Sequence, residues 1–281
     1  MTATLVVQAP AMAPATLAAL ARQADTRAIV PFGAGTPAAY RMDVATAAAS
    51  LLDAARAAYC DAGFVPASQR LDRVRVVAMD MDSTLITIEC IDEIADLHGI
   101  KPEVAAITAS AMRGEIEFAE SLRRRVQLLA GLPVAALQRV YDERLRITPG
   151  AERMLAGFRA AGAKTLLVSG GFTFFTARLQ ARLGLDHVVA NTLQIARGVL
   201  TGKVEGSIVD AQTKADTIAA WKARHAGVDG LVVALGDGAN DLPMFRQADI
   251  SIAYRAKPVV RAEATYAIDH CGLDAALNFF R

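Results

Sequence analysis

Four short apolar runs, each ending in a polar or glycine residue, constrain this chain more than any other feature. VRVVAMD begins at Val74, AKTLLVSGG at Ala163, DHVVAN at Asp186 and GLVVALGDG at Gly230. Each is β-branched and too short for a helix, and helix-period segments lie between them. That alternation predicts a parallel sheet covered by helices on both faces. In open parallel sheets the ligand site lies outside the carboxyl ends of the strands. The polar ends of these runs are therefore expected to meet at one sheet edge.

Two segments interrupt the alternation. About sixty residues after the first run read as helices only, in CIDEIADLHG, KPEVAAITASAMRG, EIEFAESLRRRVQLLAG and PVAALQRVYDERL, with Gly99, Gly114 and Gly131 as stops. A helical insertion directly after a strand end is placed to act as a lid. LQIARGVLTGKVEG reads as a β-hairpin turning near Arg197 and Gly198.

The chain before Val74 reads differently. TLVVQ, TRAIVPF and AYRMDV suggest strands, PATLAALARQA a helix and VATAAASLLDAARAAYCDAG a long alanine-rich helix, with FVPASQRLD as a linker. We expect a small α+β unit, ferredoxin-like or ACT-like, over residues 1–72 and an α/β domain with a Rossmann-like parallel sheet over residues 73–281. The lid would span about 89–147. No ligand motif is visible in the first unit, and a role in packing or in forming a homodimer is compatible with it.

With 281 residues, 53% of them apolar, the chain can bury a sizeable core. Its net charge of +1, from 30 basic and 29 acidic residues without a basic block, gives no support to a nucleic-acid or membrane partner. Cys60, Cys90 and Cys271 lack metal-ligand spacing and suit a reducing compartment as buried apolar residues. The first 21 residues carry no side-chain charge. They also lack a basic start and are interrupted by Pro10 and Pro14, so we expect a cytoplasmic enzyme rather than an exported one.

The strand ends carry the chemistry. Asp80 and Asp82 follow the first run, and period-2 geometry can point both to the same side. Two adjacent carboxylates raise each other's pKa and need compensation. The glycines of Ser169-Gly170-Gly171 let backbone approach a ligand, and Ser169 adds a hydroxyl. Lys214, near a predicted helix start, adds a fixed positive charge. Gly236-Asp237-Gly238-Ala239-Asn240-Asp241 adds two carboxylates and a carboxamide. Aspartates from two strand ends form an all-oxygen site that favours Mg²⁺ over zinc.

Taken in order, DMDSTL, SGG, Lys214 and GDGAND resemble the four motifs of the haloacid dehalogenase superfamily of aspartate-nucleophile phosphatases. The longer forms MDMDSTLITIECIDEIA, AMRGEIEFAESLRRRV, LLVSGGFTFFT and LGDGANDLPM resemble its phosphoserine phosphatases. That resemblance implies a Mg²⁺-dependent hydrolysis of O-phospho-L-serine through an aspartyl phosphate, the last step of serine biosynthesis. It implies Asp80 as nucleophile and Asp82 as acid and base, with Ser169, Gly170, Lys214 and Asn240 around the phosphate. The metal would be held by Asp80, the Asp82 carbonyl and Asp237, with Asp241 acting one step further out. In the lid, Glu89 would read the amino group, Arg125 would clamp the carboxylate, and Met112 and Phe118 would close over the ligand. Met81 departs from the phenylalanine more usual between the aspartates. Other readings stay open at this point: transfer to an acceptor alcohol such as homoserine, another small phosphate monoester, or a receiver-like binding module.

Overall fold

The computed structural model describes residues 3–26, 28–33 and 38–281. Its first sheet is built from β1 (Ala3–Ala9), β2 (Ile29–Phe32), β3 (Ala38–Val44) and β4 (Asp61–Val65), with α1 (Pro14–Gln23) and α2 (Ala49–Ala57) between them. The order β2-β3-β1-β4 is antiparallel throughout, the split β-α-β arrangement of ferredoxin-like units. Leu5, Val7, Leu20, Met42 and Leu51 form its separate core. Arg27, in the expected second strand, lies outside the described residues.

Two expectations need correction here. The alanine-rich helix does not run to Gly63, and the supposed linker does not begin at Phe64. Tyr59 takes a left-handed φ of 56°, and Asp61–Val65 pairs with β1 as β4. Tertiary contacts override local helix preference. The Asp61 carboxylate accepts the backbone N–H groups of Asp269, His270 and Cys271 at 2.8–3.3 Å. Tyr266 also donates its hydroxyl to the Phe64 carbonyl at 3.0 Å.

The second sheet contains β5 (Val74–Met79), β6 (Lys164–Phe172), β7 (His187–Ala196), β8 (Val199–Glu205), β9 (Leu231–Gly236), β10 (Ile250–Tyr254) and β11 (Tyr266–Ile268). The order is β11-β10-β9-β5-β6-β7-β8, with every pair parallel except the β7–β8 hairpin. The turn falls at Arg197 and Gly198, both left-handed. β10 and β11 extend the sheet beyond the four runs read from the sequence.

Period-2 alternation divides β5 between two cores. Val77 and Met79 join Leu167, Leu235 and Phe158 on one face, whereas Val76 and Ala78 join Leu166, Ala234, Ile218 and Phe245 on the other. Each fully buried aliphatic side chain is worth about 1.5–3 kcal/mol, so the central strand is firmly held. Covering the sheet are α7 (Ala151–Ala160), α8 (Thr173–Leu183), α9 (Ala211–His225), α10 (Leu242–Phe245) and α11 (Pro258–Glu263). All three cysteines are buried with free thiols. Among the described residues, no helix is long and apolar enough to cross a membrane.

The insertion after β5 folds as α3 (Cys90–Leu97), α4 (Lys101–Met112), α5 (Phe118–Gln127) and α6 (Val134–Arg139). Gly99, Gly114 and Gly131 between them have φ of 70°, 75° and 84°. At its neck the two connecting strands are laced together. Ile86 bridges Ile147, Thr87 N–H donates to Arg146, and Thr148 N–H donates to Leu85. The hairpin grips the far side of this cap: Gly131 N–H donates to Leu200, Leu200 N–H to Leu132 and Val134 N–H to Gly198, at 2.8–3.0 Å.

Candidate active site

The polar ends of β5, β6 and β9 meet at the carboxyl edge of the sheet, beneath the cap. Asp80 continues the parallel ladder, its N–H donating to Leu235 at 3.0 Å. The chain then leaves the strand. Asp82 is extended but already inside a turn, and Ser83 is left-handed with φ of 54°. The relation between the two aspartates is therefore a property of this turn and not of strand alternation, as the spacing had suggested. Met81 between them is fully buried in the core.

Asp80 Oδ1 accepts from Met81 N–H at 2.7 Å and from Lys214 Nζ at 2.8 Å. Its second oxygen has no hydrogen-bond partner among the described residues. Lys214 stands in the first turn of α9, a helix capped by Asp210, whose Oδ1 accepts from Thr213 N–H at 2.8 Å. The buried ammonium also donates to Asp241 Oδ1 at 2.9 Å. Asp241 Oδ2 accepts the N–H groups of Asp237 and Gly238, each at 3.1 Å. Both oxygens of Asp241 are thus engaged, which makes it the anchor of the β9 loop. Asp237 accepts from Thr84 Oγ1 at 3.3 Å, and its other oxygen has no hydrogen-bond partner among the described residues.

The oxygens of Asp80, Asp237 and Asp241 lie within 4.8 Å of one another. Asp82 contributes no carboxylate to this group. Its Oδ1 is buried without a partner among the described residues, and burial, followed by the charges of Glu89 and Asp80, holds its carboxyl well above the usual range. Burial alone would lower Lys214, but the carboxylates of Asp241 and Asp80 outweigh it and raise the amine. Asp237 is pushed up to about 7 by burial and then by Asp241 and Asp80. Asp241 rises to about 6, burial prevailing over the attraction of Lys214. Four carboxyls about one lysine leave an excess of negative charge that a hard divalent cation would neutralise. The all-oxygen donor set fits such an ion.

Ser169 is buried, and its Oγ accepts from Gly171 N–H at 2.9 Å, leaving its proton free to donate. Gly171 is required by close approach. A methyl there would stand 2.6 Å from Met81 Cε and 3.1 Å from Asp82 Oδ2. Phe118, at the start of α5, rests over Gly170, 3.1 Å from where a methyl would project. Asn240 is exposed on the loop rim, with its carboxamide against Gly238.

Glu89 precedes α3 and is exposed, accepting from Ser83 Oγ at 2.7 Å. Arg125, on α5, is half-buried, and its Nε donates weakly to Ser121 at 3.4 Å. Burial lowers its guanidinium, while Asp92, Glu89 and Asp82 act in the opposite direction. Arg125 and Glu89 share a neighbourhood yet form no ion pair among the described residues. Met112, at the end of α4, is 67% exposed, and its sulfur lies 3.9 Å from Lys257 Nζ.

Sequence reasoning missed Asn191, a buried residue on β7. Its carboxamide donates to the Gly170 carbonyl at 2.8 Å and accepts from Val209 N–H at 2.8 Å. It ties the Ser169 loop to the segment that leads into α9 and Lys214. The only signal was a strand run ending in asparagine.

Residues 77–246 match the family described as haloacid dehalogenase-like hydrolase. A curated relative, phosphoserine phosphatase of Albidiferax ferrireducens, is 49% identical over 78% of this chain and 94% of its own. The crystal structure of a probable phosphoserine phosphatase from Vibrio cholerae superposes with a TM-score of 0.86 at 36% identity, covering 98% of this chain and 85% of that one. A structure described as a phospho-aspartyl intermediate analogue of phosphoserine phosphatase is also 36% identical. It has a TM-score of 0.68 over 74% of this chain and all of its own.

Proposed function

The chain belongs to the haloacid dehalogenase-like hydrolase family, and from that premise we propose that it is a phosphoserine phosphatase, hydrolysing O-phospho-L-serine to serine and phosphate. Its curated relatives carry that name. The observation that carries the substrate choice is a carboxylate and a guanidinium close to Asp82 and to each other, Glu89 and Arg125, that form no ion pair among the described residues. An amino-acid phosphate needs one reader for its ammonium and one for its carboxylate, and a planar guanidinium suits the latter.

Phosphoryl transfer is chiefly positioning and charge neutralisation. Ser169 Oγ, the Gly170 N–H and Lys214 hold the phosphoryl oxygens, with Asn240 at the rim. Lys214 and the Met81 N–H fix Asp80 Oδ1, so the carboxylate presents itself to phosphorus in one orientation. Asp80 attacks in line, the bond from phosphorus to the seryl oxygen breaks, and an aspartyl phosphate forms. Asp82 gives its proton to the departing seryl oxygen. In the second half it takes a proton from the water that attacks phosphorus, and Asp80 is released. The raised Asp82 carboxyl suits the first step, because it carries a proton where an ordinary aspartate would not. Mg²⁺ would be held by the Asp80 and Asp237 carboxylates and the Asp82 carbonyl, with Asp241 bracing Lys214 and the loop. Bound there, it supplies positive charge to the phosphoryl oxygens.

The test is phosphate release over a panel of amino-acid phosphates and simple phosphate esters, with and without Mg²⁺. Phosphoserine should be the preferred substrate, and chelation should abolish turnover. Phosphate release that falls when homoserine is added, with the acceptor becoming phosphorylated, would point to a transferase instead. A single stoichiometric phosphorylation without turnover would point to a receiver-like module.

A further inference from the structure

A groove of about 600 Å³ opens where the first sheet's unit meets the edge of the second sheet. It lies beside the carboxyl ends of β10 and β11 and includes none of the active-site residues. Its walls are Arg56 and Tyr59 from the end of α2, Arg255 after β10, Arg261 on α11, and Asp269 and His270 after β11.

The charges are unbalanced. Three guanidiniums and an imidazole face one lining carboxylate, Asp269, which already pairs with Arg261 at 3.3 Å. Arg56 pairs at 3.2 Å with Asp53 of its own helix, but both side chains are more than half exposed, so that pair is weak. Arg255 has no carboxylate within 4 Å among the described residues, and its guanidinium stands 5.3 Å from the Tyr254 ring. The nearby Asp61 carboxylate is spent on the backbone N–H groups of Asp269, His270 and Cys271.

Three further features distinguish this groove from a casual basic surface. Arg261 Nε is buried without an acceptor among the described residues, which is costly for a charged donor. Arg255 holds a left-handed φ of 45° that a side-chain-bearing residue seldom adopts, and its N–H is tied to Ile268 at 2.8 Å. The His270 backbone is pinned by Asp61, and its ring meets Tyr59 edge-on at 5.6 Å. Arg261 and His270 are therefore partly positioned before any ligand arrives, which reduces the ordering cost of binding, while the exposed Arg56 and Arg255 side chains can adjust to it.

We propose that this groove is a binding site for a small dianion bearing phosphate or carboxylate groups, read by Arg255 and Arg261 with Arg56 and His270 at its sides. Planar guanidiniums serve both chemistries in bidentate fashion. The site is separate from the phosphoserine cleft and does not depend on the activity assigned to that cleft.

The chain has 4 histidines, so its imidazole proton spectrum is simple. The His270 signal can be assigned by its loss in His270→Gln. Metal-free protein is titrated at constant pH with inorganic phosphate and, separately, with succinate, using sodium chloride at matched ionic strength as reference. A saturable His270 shift with a millimolar or lower midpoint is expected for at least one of the two anions. Which anion gives it separates the phosphate from the dicarboxylate source. Arg255→Ser should raise that midpoint at least tenfold while phosphoserine turnover stays within twofold. Arg153→Ser, on a different surface, should leave the midpoint unchanged. A shift that is linear and matched by chloride, or a midpoint unaltered in Arg255→Ser, would overturn the proposal.

Discussion

Asn191 and Gly170 are joined by a hydrogen bond of 2.8 Å from the buried carboxamide to the backbone carbonyl. The other end of the same carboxamide holds Val209, just before the cap of the helix that carries Lys214. One side chain thus sets the spacing between two parts of the proposed phosphate cradle. In Asn191→Asp the Val209 contact can persist, but the donor to Gly170 becomes an acceptor. We expect kcat/KM to fall about 10- to 100-fold, the range for groups that orient a site from behind. Inhibition by inorganic phosphate should weaken in parallel. A drop in melting temperature with unchanged phosphate inhibition would instead mark Asn191 as purely structural.

Asp80 and Asp82 should fail differently. Asp80→Asn should lose turnover by roughly 10⁴-fold or more with the fold intact, as for removal of a nucleophile. Asp82→Asn should lose about 10²- to 10⁴-fold, the usual worth of a general acid–base group. It should still label covalently with phosphate in a rapid quench. Normal turnover in Asp82→Asn, or label on a residue other than Asp80, would refute the division of roles.

Arg125→Ala removes one charge-assisted contact, worth about 1.5–3 kcal/mol. KM for phosphoserine should therefore rise by about 10- to 100-fold. Phosphoethanolamine, which lacks the carboxylate, should lose little. Equal losses on both substrates would mean that Arg125 does not read the carboxylate.

The acidic cluster predicts a pH-dependent response to metal. Without a cation, the folded-state values of Asp237 and Asp241 lie near 7 and 6, above their ordinary range. Groups raised in this way favour the folded state when protonated, and that contribution is lost as pH rises through 6 to 7. A divalent cation requires the ionised forms, so its affinity should increase over the same interval. At pH 8, saturating Mg²⁺ should raise the melting temperature by roughly 5–10 °C, and by much less at pH 5.5. Thermal unfolding of chelator-treated protein at both pH values measures this. Equal shifts at the two pH values would exclude Asp237 as a ligand.

Local sequence determined the four strand runs, the helical character of the cap and the turn at Arg197 and Gly198. Each of these depends on residues within a few positions: β-branched runs, helix periodicity and glycine stops. The motif segments could also be quoted from the chain alone, because each sits in a short, chemically distinctive stretch. What could not be read was every feature decided by a distant partner. β4 formed where alanines favoured helix because Asp61 caps the backbone some 210 residues away, at Asp269 to Cys271. Asn191 acquired its place from Gly170 and Val209 and not from its own neighbours in sequence. Met112 lies exposed at the end of α4 with its sulfur against Lys257, a neighbour 145 residues away that the periodicity of α4 could not name. The lone lysine among four carboxyls is likewise a tertiary fact. Sequence can name charged groups, but only the fold brings them within a few ångströms, where burial and mutual repulsion decide which of them keeps a proton.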